Sequence, residues 1–277
     1  MPSWFFQVDK KDKIDPASLE KTLSRLSADL NKENSRRITG AIKKEGLFIK
    51  VFRVEGISDS LRFKLGIDHP TYKRRYGDSE YSNARKARKK GVPTPEVYAF
   101  AYNRGFFTRY QAVIYENLCK HRSLAKLLTE EDSPKTETRM LDAIYSAAKR
   151  IALAGFVHAD FSAENILLDA GLSEAKVIDM EYALFTDKAM SDIMAFLFGY
   201  IYKSSLQHKI QESTFDSWFY SKISCDMELD KHSDSIKTIY EKAKTHRYSR
   251  ADIYSLFSKD DHPKCSCKFW RPTISGN

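Results

Sequence analysis

"GFVHADFSAENILLDAGLSEAKVIDMEY", residues 155–182, mixes polar and apolar residues in an unusual way. It sets His158, Asp160, Asn165 and Asp179 beside apolar runs such as "NILL" and "AKVID". A carboxylate among apolar neighbours is costly unless it is paired or holds a metal, so each needs a reason to be there. Upstream, "TETRMLDAIYSAAKRIALAG" repeats apolar residues at Leu141, Ile144, Ala148, Ile151 and Ala152, a helical period that stops at Gly155. "NILLD" and "AKVIDM" then read as two short strands joined by "AGLSE". Closing that hairpin carries Asn165, just before the first strand, and Asp179, near the end of the second, to one rim. Asp160 lies on the loop before them. Asn and Asp oxygens converging on one point suit Mg²⁺, which takes a few protein oxygens together with phosphate. Asp160 is left free to accept a proton from an attacking hydroxyl.

The spacing His158-x-Asp160-x4-Asn165 reproduces the catalytic loop of protein kinases, with Ala159 where they carry Arg. Asp179, fourteen residues further on, stands where the D-F-G aspartate would be. Such a site needs a strand lysine for phosphates and a helix glutamate to hold it. "LFIKVF" places Lys50 among apolar residues, where a lysine without a partner is hard to explain. Glu80 is the expected mate, in the first turn of a helix over "DSEYSNARKARKKG", 78–91, with Asp78 or Ser79 as its cap and Gly91 as its stop. Lys43 and Lys44 fall in the turn before the strand. "AVIYENL" reads as the strand between lobes, with backbone near Glu116 and Asn117 facing adenine. The glycine loop is thin: "SRRITGAI" has only Gly40. Asp179 runs on to a helix near Ser191 with no A-P-E segment, which argues against a peptide acceptor. Asp192 at the start of that helix either buttresses the catalytic loop or caps the helix.

With 277 residues, 42% of them apolar, the chain can bury a large core in two lobes. The expected class is α+β, a protein-kinase-like two-lobe fold. Residues 1–34 read as a helical extension, with Asp15 and Pro16 opening a helix over "DPASLEKTLSRLSADL". Residues 35–117 read as a β-rich first lobe containing the hairpin "SRRITGAIKKEGLFIKVFRV", and 118–277 as a helical second lobe. The start lacks the order of a signal peptide, and the longest apolar run, 193–202, is too short to span a bilayer. Four scattered cysteines form no disulfide framework and fit a reducing cytoplasm. His262, Cys265 and Cys267 are a poor zinc match, because tetrahedral zinc wants four ligands in wider pairs. The net charge is +9, and residues 61–90 hold ten Lys/Arg against Asp68, Asp78 and Glu80. A local basic field attracts phosphate-rich partners such as anionic lipid, a phosphorylated glycan or nucleic acid. "ARKARKK" lacks the interleaved aromatics of a nucleic-acid surface, so no nucleic acid is expected.

"KVFR", "SEYSNARKARKKGVPTPEVYAF", "IYENL", "GFVHADFSAENILLD" and "VIDME" together resemble the lipopolysaccharide core kinases over residues 36–205. These are protein-kinase-like enzymes that phosphorylate heptose or 3-deoxy-manno-octulosonic acid in Gram-negative bacteria. The resemblance implies ATP and Mg²⁺, Lys50 and Glu80 as the ion pair, Asp160 as the base, and Asn165 with Asp179 as metal ligands. It also implies a glycolipid acceptor met at the cytoplasmic face of the inner membrane. A kinase of a cationic small molecule would want an acidic acceptor pocket, which the basic segment opposes. A nucleotide-binding pseudokinase scaffold is disfavoured by the complete residue set.

Overall fold

The computed structural model describes residues 4–54, 60–61, 77–103, 109–130, 133–226, 229 and 231–257. The expected hairpin forms from β2 (Arg37–Ile42) and β3 (Leu47–Arg53). It turns at Gly46, whose φ of 65° is left-handed and favours glycine. β3 pairs with β5 (Tyr110–Glu116), β5 with β4 (Val97–Asn103), and β4 with β1 (Trp4–Val8), all antiparallel. The sheet order is therefore β1-β4-β5-β3-β2.

Helix α1 (Pro16–Lys32) covers one face of this sheet. Its Leu19, Leu23, Leu26 and Leu30 recur at helical spacing and are buried against Ile49, Val51, Ala112 and Ile114. Asp15 caps it by accepting from the amides of Ala17 and Ser18. The helix expected there is present, but residues 4–32 belong to the first lobe and do not extend from it. Trp4–Val8 is an edge strand in register with β4, and Trp4 is buried under the same leucines.

Helix α2 (Gly77–Lys89) lies on the other face, with Tyr81, Ala84 and Ala87 buried. It begins at Gly77, so Asp78 and Ser79 sit inside its first turn and do not cap it; the Asp78 amide donates to Gln111 Oε1. Gly91 has a φ of 83°, the conformation expected of the stop. The described part of the basic segment is largely engaged within the chain. Arg85 pairs with Asp9 at 3.0 Å, Arg88 donates to the Thr94 carbonyl, Lys90 donates to the Ala154 carbonyl, and Lys86 sits over the Phe185 ring. Lys73, Arg74 and Arg75 lie outside the described residues, as do His262, Cys265 and Cys267.

The second lobe is helical: α3 (Leu124–Glu130), α4 (Pro134–Leu153), α5 (Met190–Ile201), α6 (Glu212–Cys225), α7 (Ser233–Thr245) and α8 (Arg250–Phe257). The apolar run that looked long in sequence is α5, buried among Phe215, Phe219 and Tyr240. Gly199 lets α5 approach α7, since a Cβ there would lie 2.6 Å from Ala243 Cβ and from the Tyr240 carbonyl. Among the described residues no helix is long and apolar enough to cross a membrane. Between α4 and α5 run four short strands. β7 (Phe156–His158) pairs with β10 (Ala183–Phe185). β8 (Ile166–Leu168) pairs with β9 (Ala175–Val177), the expected second hairpin, and β6 (Arg122–Ser123) adds to β8.

Candidate active site

Lys50 occupies the middle of β3 with 7% of its side chain exposed. Its Nζ lies 2.9 and 2.7 Å from the two Glu80 oxygens and 3.0 Å from Asp179 Oδ1. Tyr115 on β5 donates its hydroxyl to Glu80 Oε1 at 2.7 Å. Burial works against the Lys50 charge, but Glu80 and Asp179 outweigh it and hold the ammonium above its ordinary pKa. Burial also opposes the Asp179 carboxylate, yet Lys50 and Arg37 hold that carboxyl below its usual range. One turn along α2 from Glu80, Asn83 Nδ2 donates to the carbonyls of Met180 at 2.9 Å and Ala183 at 3.1 Å. That clamp holds the helix carrying Glu80 to the turn that follows Asp179.

Asp179 is a non-glycine residue with φ 63°, at the exit of β9. A left-handed aspartate is uncommon and costs energy, so the surrounding contacts must fix it. The Ile178 amide donates to the Asn165 carbonyl at 2.9 Å, which closes the hairpin rim, and Asn165 and Asp179 line the same two cavities. Asn165 Nδ2 donates to the Asp160 carbonyl at 2.9 Å and leaves its Oδ1 as the acceptor end. His158 is wholly buried. Its Nε2 lies 2.8 Å from the Ile178 carbonyl and its Nδ1 accepts from the Asp160 amide at 3.2 Å. Both contacts are met by the neutral ring with its proton on Nε2, and burial pushes the His158 pKa down.

Asp192 at the start of the following helix meets hydroxyls of its neighbour Ser191 and of Ser235 on α7 rather than the loop at Asp160. After Ile201 the helix widens into a π turn, Tyr202–Leu206, and Ser205 Oγ there accepts the Ala163 amide at 3.0 Å. Single π turns in helices often mark functional sites, and here the turn reaches the catalytic loop.

Two cavities meet at this point. The first, about 340 Å³, is lined by Thr39, Phe48, Lys50, Tyr115 and Glu116, a size suited to a small ligand. The second, about 650 Å³, takes in Asp160, Ser162, Glu164 and Arg250. Arg37, Asn165 and Asp179 line both. Glu116 lies in the first cavity, but its carboxylate is spent on Lys176 at 3.2 Å and the Glu96 amide. The amides of Glu116 and Asn117 donate to the carbonyls of Glu96 and Gly46. The stretch expected to face adenine lines the first cavity, and both of those amides are engaged within the chain.

Three residues escaped the sequence reading. Arg37 at the start of β2 pairs with Asp179 Oδ2 at 3.0 Å. Arg250 at the start of α8 pairs with Asp160 Oδ2 at 2.9 Å and lies over the Tyr182 ring at 3.8 Å. Glu181 has a carboxylate oxygen within 4.8 Å of those of Glu80 and Asp179. Glu181 was legible as the acid two places after Asp179. The two arginines were not, because nothing local separates them from the chain's other surface cations.

The profile of the "Lipopolysaccharide kinase (Kdo/WaaP) family" matches residues 33–192. Curated proteins give no match. Two solved structures of WbdD, one described as a bifunctional kinase-methyltransferase, are similar at TM-scores of 0.41 and 0.38. Identity is 18% over 70% of this chain for the first and 20% over 56% for the second. The chain spans only 37% and 32% of those two proteins. The profile takes in more than half of the sequence and the whole of the site except Ser205 and Arg250, and the chain belongs to the lipopolysaccharide kinase (Kdo/WaaP) family.

Proposed function

We propose that this kinase moves the terminal phosphoryl group of ATP to a heptose or 3-deoxy-manno-octulosonic acid hydroxyl of the lipopolysaccharide inner core. The observation that carries this reading is the join of the two cavities. A nucleotide in the first would point its phosphates past Lys50 to Arg37, Asn165 and Asp179, and an acceptor in the second would meet Asp160. Phosphoryl transfer depends mainly on positioning and on neutralising charge, and the cations and carboxylates gathered at the join support this reading.

Asn165 Oδ1 and the Asp179 carboxylate are hard oxygen donors at one rim, with Glu80 and Glu181 close by, and this donor set fits Mg²⁺. Held there, the ion would offset the negative charge of the phosphates. Lys50, kept charged by Glu80, would reach the phosphates from the side of the sheet. Asp160 would accept the acceptor's hydroxyl proton, sharing Arg250 as it does so. The acceptor glycolipid would be met at the cytoplasmic face of the inner membrane, on an anionic surface. The net charge of +9 supports this, as do Arg62, Lys64, Lys73, Arg74 and Arg75 in the sequence before α2.

The test is transfer of labelled phosphate from ATP to deacylated core oligosaccharides ending in heptose or in 3-deoxy-manno-octulosonic acid. Asp160→Asn should cut turnover by roughly 10²–10⁴, the usual range for a general base, while nucleotide affinity survives. Near-normal turnover in that variant removes Asp160 from the role, and label on neither oligosaccharide overturns the acceptor assignment.

A further inference from the structure

The site has a lysine, a glutamate and a catalytic loop of kinase type, yet the glycines that would cradle phosphate are elsewhere. Gly40 is on the face of β2 turned to α1. A Cβ there would stand 3.0 Å from Leu26 Cδ1, so its smallness serves helix packing. Gly46, at the far end of the hairpin, gives its carbonyl to the Asn117 amide. β2 is the edge of the sheet and is entered from α1, so among the described residues no further strand lies beyond it to fold over the cleft. Alternation along β2 turns Arg37 and Thr39 to the opposite face from Gly40, and both line the first cavity.

We propose that Arg37 is a ligand of the nucleotide's terminal phosphates, making with a side chain the contact that glycine-loop amides make in protein kinases. This rests on the reading of the first cavity as an ATP site. Arg37, Asn165 and Asp179 are the residues common to both cavities, and that join is where a transferred phosphoryl group must sit. Both Asp179 oxygens now face cations, Lys50 on Oδ1 and Arg37 on Oδ2. A metal ion needs one of them. Lys50 is anchored by two short bonds to buried Glu80, whereas the Arg37 side chain is 44% exposed and has no comparable anchor in the site. Arg37 is thus the partner that gives way, and its planar fork of five N–H donors matches phosphate oxygens bidentately.

The experiment is calorimetric titration of the full chain and of Arg37→Ala and Arg37→Lys with ATP, ADP and AMP in excess magnesium. Arg37→Ala should lose ATP affinity by about tenfold or more, the scale of one charge-assisted contact. AMP affinity should stay at the wild-type value. Arg37→Lys should fall between, since an ammonium keeps the charge without the fork. Melting curves should match wild type, because Arg37 is half-exposed. Wild-type ATP affinity in Arg37→Ala overturns the proposal. So does an equal loss for ATP and AMP, which would mean that Arg37 only arranges the cavity. Failure of wild type to prefer ATP over AMP overturns the ATP reading and this proposal with it.

Discussion

Lys50 and Lys244 are both almost wholly buried, at 7% and 3% side-chain exposure, and they have little else in common. Lys244 on α7 reaches Asp216 at 2.8 Å, Glu212 at 2.9 Å and Glu241 at 3.1 Å. Those carboxylates are 24%, 60% and 42% exposed and lie on α6 and α7 alone. The cluster ties one helix to its neighbour and keeps its acids in water. The partners of Lys50 are Glu80, 2% exposed, and Asp179, 15% exposed, drawn from α2 and from the far side of the cleft. Burial of a charge therefore does not mark a site. What marks it is a buried charge whose partners are also desolvated and open onto a cavity that a ligand can enter.

Truncating each lysine in turn should separate the two most clearly. Lys50→Met leaves Glu80 buried without its counter-charge, which should cost about 3–5 kcal/mol and abolish phosphoryl transfer. Lys244→Met leaves hydrated acids behind, so it should cost under about 2 kcal/mol and leave transfer unchanged. Urea unfolding and labelled-phosphate assays on both variants decide it. Loss of transfer in a folded Lys244→Met chain would erase the distinction.

A smaller effect concerns protons. In the fold His158 is neutral and its pKa is depressed, while in the unfolded chain it titrates near about 6.5. Between those values the unfolded state binds a proton that the native state refuses. The contribution linked to His158 is thus complete above about pH 6.5 and declines as pH falls toward the folded value. Protonation at Nδ1 would also set an N–H against the Asp160 amide that now donates to it. Unfolding of the nucleotide-free chain at several pH values should show a shallower acid slope for His158→Gln than for wild type. Parallel slopes would show that other groups account for the loss.

The smallest effect is expected at Gly40. Gly40→Ala meets only the flexible end of Leu26, so stability should move by under about 1 kcal/mol in either direction. Nucleotide affinity should not move at all. A selective loss of ATP affinity would return this glycine to the phosphate site.

The kinase site was legible where local chemistry forced a partner. Lys50 amid "LFIKVF" demanded a carboxylate, and the catalytic-loop spacing named Asp160, Asn165 and Asp179 together. The structure brings Lys50 to Glu80 and Asn165 to the rim of Asp179, as that logic required. What stayed hidden depends on long-range placement. "WFFQV" is five residues with no turn signal, and only its register against β4 makes it a strand. Arg37 and Arg250 are surface-type cations in sequence, and only tertiary contacts separate them from the others. The caps assigned to Asp78 and Ser79 missed because the helix starts at Gly77, where "GDSE" gives several candidate starts.

The placement of β1 has a consequence for how the chain reaches this state. β1 is the first strand in sequence, yet its partner is β4, with Trp4 opposite Asn103. The β2–β3 hairpin and α1 can meet early, because their contacts are local. β1 must wait until β4 has been made and has itself found β5. Closing that long loop is entropically slower than closing the hairpin. During the wait, β4 shows an open edge and Trp4 has no cover, the condition in which growing chains pair with the wrong neighbour. Within the first lobe, the β2–β3 hairpin is thus free to form well before β1 seals the sheet.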